Sequence, residues 1–165
     1  MKTAFSICVL ALSLAACNQN TSIGNDREAQ LEAAPTPAPV EEASSALQNV
    51  ATAIIKPETM SDADVEALGG KAGRCSIVLT EVAFPSFLYE PDGGPGAIKL
   101  NGKLIPLTSV GENRFVDGEL TVTLRALDEK GNAGSQGMEM IVVPPGAKDE
   151  IGYHGYRRCY EGADK

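Results

Sequence analysis

The sequence predicts a mainly β protein: a small antiparallel β-sandwich or barrel-like domain, with a short helix before it and a disordered tether in front. Two observations carry this expectation. From Arg74 onward, apolar residues recur at every second position in short runs, the mark of strands with one buried face. Between the runs lie clusters of turn formers, "PDGGPG", "VGEN" and "EKGNAGSQG". Roughly five to seven short strands joined by such turns fit a sandwich or a partly closed barrel.

Each element follows from its residues. "SALQNVATAIIK", Ser45 to Lys56, places Leu47, Val50, Ala51 and Ile54 on one helical face and ends at Pro57. "SDADVEALGG" is a stronger helix, with Ser61 as cap, Asp62 and Asp64 at the positive end and Gly69 beyond the last turn. "CSIVLTEV" opens the strands. "AIKLNGKLIPL" is two apolar runs joined at Asn101-Gly102, the pair that suits a type I′ hairpin turn. "ELTVTLRAL" sets Leu120, Val122, Leu124 and Ala126 on one face and Thr121, Thr123 and Arg125 on the other. "GMEMIVVPP" and "IGYHGYRRCY" complete the series.

A length of 165 residues favours one domain, and with 5% aromatics and no Trp its core rests on aliphatic residues and Met. The formal net charge of −8 disfavours nucleic acid as a partner.

The N-terminus reads as an export signal. Met1-Lys2 is charged, Thr3 to Ala16 is apolar and uncharged, and the run ends in small residues. It is shorter than the roughly 20 residues of a membrane-spanning helix. Leu14-Ala15-Ala16-Cys17 resembles the lipobox of bacterial lipoproteins. The resemblance implies that residues 1–16 are removed as a signal peptide and that Cys17 is acylated on its sulfur and on its new amino group. Several acyl chains anchor stably where one does not. Asn18 in place of Asp implies the outer membrane, facing the periplasm. Loss of Lys2 with the leader leaves 13 basic against 22 acidic residues, a net charge of −9.

The organisation expected is then a signal peptide (residues 1–16), a lipidated N-terminus with a Pro/Ala-rich linker (residues 17–60), and a β-rich periplasmic domain (residues 61–165). The linker centre, "APTPAP", favours an extended polyproline-like form. With Cys8 in the leader and Cys17 given to lipid, Cys75 and Cys159 remain as an even pair, and in an exported domain they are expected to form a disulfide between the first and last strands.

The chemistry-bearing residues are few. His154 is the only histidine. No Gly-x-Ser-x-Gly elbow, Cys/His nucleophile pair or metal-ligand spacing occurs, and the glycine-rich stretches lack the Lys-Ser/Thr of a phosphate loop. A non-enzymatic protein without cofactor or metal is expected. Three of the four tyrosines crowd the C-terminal strand. If Cys159 points inward, alternation places His154, Tyr156, Arg158 and Tyr160 on the opposite face, a candidate surface for an envelope protein partner.

"GKLIPLTSVGENRF", Gly102 to Phe115, resembles a segment of the membrane-bound lysozyme-inhibitor lipoproteins, a Leu followed by a small-residue loop and an aromatic. That resemblance implies a β-barrel with a disulfide and a loop, carrying Ser109, that enters the lysozyme cleft. The family's Ser-Gly repeat is absent and Phe115 stands where it has Tyr. The expected function is thus an anchored envelope protein acting by binding or structure, with a lysozyme inhibitor and a small envelope enzyme as alternatives.

Overall fold

The computed structural model describes residues 35–162. The predicted signal peptide, Cys17 and the linker as far as residue 34 lie outside the described residues. Eight antiparallel strands run in sequence order and close into a barrel: β1 (Cys75–Val78), β2 (Phe87–Tyr89), β3 (Gly96–Leu100), β4 (Lys103–Gly111), β5 (Arg114–Asp117), β6 (Leu120–Lys130), β7 (Gln136–Val143) and β8 (Ile151–Cys159). Of the two shapes expected, the barrel is the one formed. β1 closes the cylinder on β8, with Cys75 opposite Cys159 and Ile77 opposite Arg157.

Most expected strands are present, because alternation and turn chemistry agree there. Asn101 and Gly102 take φ of 49° and 67°, as a type I′ turn requires, and β3 and β4 pair on either side. Leu120, Val122 and Leu124 of β6 face the core, whereas Ala126 is exposed where the hairpin with β7 runs past the barrel. β2 and β5 raise the count to eight. They have three and four residues, too short for a period to show.

The interior is filled by Ile77, Phe87, Ile98, Leu100, Ile105, Leu107, Phe115, Leu120, Val122, Met138 and Met140, all buried. Phe87, Tyr89 and Phe115 pack edge to face or stacked with centroids 5.0–5.7 Å apart. Gly96 makes room for them: a Cβ there would lie 2.7 Å from Phe87 Cζ.

Residues 35–60, read above as the end of the linker, lie against the barrel. β5 pairs with β4 only from Thr108 onward, which leaves the edge of β4 open at Leu104. The chain before α1 fills it: Glu41 N donates to Leu104 O and Leu104 N donates to Pro39 O, both at 2.9 Å. α1 (Ala43–Ala46) then plugs one barrel end with Ala43, Ala46 and Leu47. Asp117 Oδ2 accepts from Ala43 N at 2.6 Å, and Asn101 Nδ2 donates to Ala46 O at 3.2 Å. The single helix expected over Ser45–Lys56 is two short turns, α1 and a 3-10 turn at Thr52–Ile54. Asn49 between them takes a φ of 60°, which ends helical continuity, and Ile54 is 69% exposed.

α2 (Asp62–Ala67) forms as expected. Ser61 Oγ accepts from Asp64 N while Asp64 Oδ2 accepts from Ser61 N, a reciprocal cap. The helix covers the outer face, where Met60, Val65, Leu88 and Leu104 form a second buried cluster flanked by Ala38, Leu68 and Tyr160.

Candidate functional site

The barrel has two unlike ends. α1 packs one. The other opens into a cavity of about 860 Å³. Its floor is Tyr89 and Phe115; its walls include Arg157 and the Cys75–Cys159 disulfide; its rim carries Glu90, Asp92, Ser109 and Glu112.

Strand register explains how a cation comes to face the interior. Cys75 and Ile77 are core residues, so their partners Cys159 and Arg157 share the inner face of the wall. Arg157 sits one step above the filled core, where its guanidinium reaches the opening. Burial pushes the Tyr89 phenol above its usual range, and the positive charge and hydrogen bonding of Arg157 pull against that rise. Glu90 is held by Arg74, whose Nη2 lies 2.9 Å from Glu90 Oε1, while Arg74 Nη1 donates to Leu68 O at 2.6 Å. Arg157 is therefore the cation that the lining itself offers, beneath a rim of Asp92 and Glu112.

Cys75 and Cys159 are bonded to each other, with Cα atoms 4.0 Å apart across directly opposed strand positions. The expected pairing between first and last strands is present.

The C-terminal face divides. His154, Tyr156 and Arg158 occupy alternate positions of β8 on the outer surface, as alternation required, and all three retain exposed surface. Tyr160 follows the strand and joins the cluster under α2, its hydroxyl 3.3 Å from Ser76 Oγ. Arg158 Nη2 donates to Glu81 O at 2.9 Å. Tyr160 and Arg158 thus have structural partners, and His154, opposite Glu139, stands on the outer wall away from the mouth.

Ser109 lies on the mouth rim, and its hydroxyl donates to Gly111 O at 3.2 Å within a bulge of β4. The segment Gly102–Phe115 is β4 and a hairpin into β5, turned in two residues at Glu112-Asn113. It does not project as a long loop. No helix among the described residues is long and apolar enough to cross a membrane.

The residues that sequence reasoning missed, Tyr89, Glu90, Asp92, Glu112 and Arg157, come from two connections, β2–β3 and β4–β5, and two strands, β2 and β8. One signal was present: in "YRRCY", whichever face holds Cys159 also holds Arg157, and an inward cation in a small barrel needs a reason.

No curated protein matches the chain, and neither does any solved structure. A family model described as "Domain of unknown function (DUF6692)" matches residues 13–162, a span that takes in Cys17, the closed barrel and both mouth cysteines. The chain belongs to that family.

Proposed function

We propose that this chain is an exported bacterial lipoprotein, anchored in the envelope through acylated Cys17, whose barrel binds a small ligand at its open end without altering it. The observation that carries the binding reading is the asymmetry of the barrel: one end is packed by α1, the other holds an open cavity floored by aromatics. Barrel mouths are favoured sites for ligands, and this cavity lies within the roughly 300–1,000 Å³ usual for them. The lining favours a molecule with one carboxylate for Arg157 and a flat or apolar part for Tyr89 and Phe115. Asp92 and Glu112 on the rim disfavour polyanions.

Export and anchoring are supported by the lipobox-like Leu14–Cys17, by the reach of the family match back to residue 13, and by a disulfide that suits an oxidising compartment. A recessed cavity and a two-residue turn at Glu112-Asn113 favour binding over insertion of a loop into lysozyme. Binding is also favoured over catalysis, because the one histidine lies on the outer wall and Ser109 has no base beside it.

The test is chemical-shift mapping of the full chain with a panel of aromatic and aliphatic monocarboxylates. Shifts at Tyr89, Phe115 and Arg157, lost in Arg157→Glu, are expected. Shifts confined to the outer wall around His154, with the mouth silent, would refute the reading.

A further inference from the structure

The connection from β1 to β2, residues 79–86, carries two exposed apolar side chains. Val82 is 95% and Phe84 52% exposed. Scattered apolar side chains on a surface are ordinary. These two stand two positions apart on one loop, beside a shallow depression of about 240 Å³ that Lys71, Arg158 and Tyr160 also line. The loop is held in place. Ser86 N donates to Ile77 O at 2.9 Å, Ala83 N to Thr80 O at 3.1 Å and Met60 N to Pro85 O at 2.7 Å.

The charged side chains that line the depression are Lys71 and Arg158. The Lys71 ammonium lies 5.9 Å from the Tyr160 ring centroid and 3.0 Å from Asp62. Arg158 crosses the base of the loop to Glu81 O. The Glu81 carboxylate is turned the other way, accepting from the backbone and side chain of Asn132.

A second, independent observation is where the chain from Cys17 joins the domain. Ala38 N donates to Asp64 Oδ1 of α2 at 2.6 Å, and Ala38 packs with Leu68 and Tyr160. Tyr160 also lines the depression beside Phe84. The N-terminal end of the described chain, at Ala38, and the apolar loop therefore flank the same side chain, Tyr160.

We propose that Val82 and Phe84, with Lys71 and Arg158 beside them, seat in the headgroup region of the bilayer that holds Cys17. The inference rests on the lipoprotein reading and adds an orientation to it. Aromatic and aliphatic tips partition into the interface, while Lys and Arg lay their stems along it and reach anionic phosphates. An acidic chain is repelled by anionic lipid as a whole, so the side it presents should be the one where cations gather.

The chain contains no Trp, so one introduced Trp reports alone. The full acylated chain is reconstituted in phosphatidylethanolamine/phosphatidylglycerol vesicles as Phe84→Trp and, as control, Val110→Trp, at a second exposed site near the mouth. Emission from the Trp at 84 is expected to shift to the blue and to be quenched by brominated acyl chains at least about twofold more than that at 110. Intact mass of the same sample reports acylation of Cys17. Acylated chain with a water-exposed Trp at 84 overturns the seating alone and leaves the loop for a protein partner. An unmodified Cys17 overturns the seating together with the lipoprotein reading.

Discussion

Asp64 shows how much one side chain organises. It is 1% exposed, and its carboxylate accepts from Ala38 N, Ser61 N and Lys99 Nζ at 2.6–2.8 Å. Burial alone would raise its pKa. The hydrogen bonds from Ala38, Lys99 and Ser61 outweigh that and hold it at about 2, against 3.8 ordinarily. The folded value is the lower one, so its stabilisation is complete above about pH 4 and is lost as pH falls toward 2. At about 1.4 kcal/mol per unit, this carboxylate contributes roughly 2 kcal/mol at neutral pH. Asp64→Asn should therefore lower unfolding free energy at pH 7 by about that much and flatten its fall between pH 4 and 2. Urea titrations at several pH values measure both; an unchanged acid slope would show that Asp64 is not the group responsible. Arg157 is the residue on which the proposed binding turns at this scale. It is an exposed cation on an inner face, so Arg157→Ala should leave stability within about 0.5 kcal/mol while removing ligand-induced shifts at Tyr89.

Among the elements, the stretch before the barrel decides most. Met60 is fully buried between α2 and the outer wall, in a cluster with Val65, Leu88 and Leu104. Met60→Ala should cost about 2–5 kcal/mol, read as a lowered melting temperature, without changing the disulfide or the mouth. A loss below about 1 kcal/mol would mean that α2 is only loosely attached. What the sequence made legible follows from the same physics. α2 was visible because Ser61, Asp64 and Gly69 act on their immediate neighbours. The β3–β4 hairpin was visible because Asn101-Gly102 fixes its own turn. The packing of Pro39 and Glu41 on Leu104 was not, because it depends on an open edge left by β5, a strand too distant and too short to leave a period. The mouth was likewise hidden: Tyr89, Glu112 and Arg157 meet only when the cylinder closes, whereas the inward direction of Arg157 follows from Cys159 two residues on.

For the whole molecule, closure is the governing fact. β1 and β8 meet late in the chain, and the Cys75–Cys159 bond fixes that seam across 84 positions. In the chain-entropy account such a bond contributes about 4–5 kcal/mol, and Cys75→Ser/Cys159→Ser should lose most of it in guanidinium unfolding. A loss under about 1 kcal/mol would place the strength of the seam in its strand pairing instead. The bond also ties one wall of the mouth, so its stability and the cavity are linked. The account joins three parts: an anchor at Cys17, a barrel closed at one end by α1, and an open end that receives a ligand. The proposed anchor would govern where the other two act. The most direct measurement is therefore the intact and N-terminal peptide mass of the protein extracted from its native envelope. The account predicts a chain that begins at Cys17, carries acyl chains there, and keeps Cys75 and Cys159 resistant to alkylation until reduced. A chain that retains Met1, or an unmodified thiol at Cys17, would contradict it.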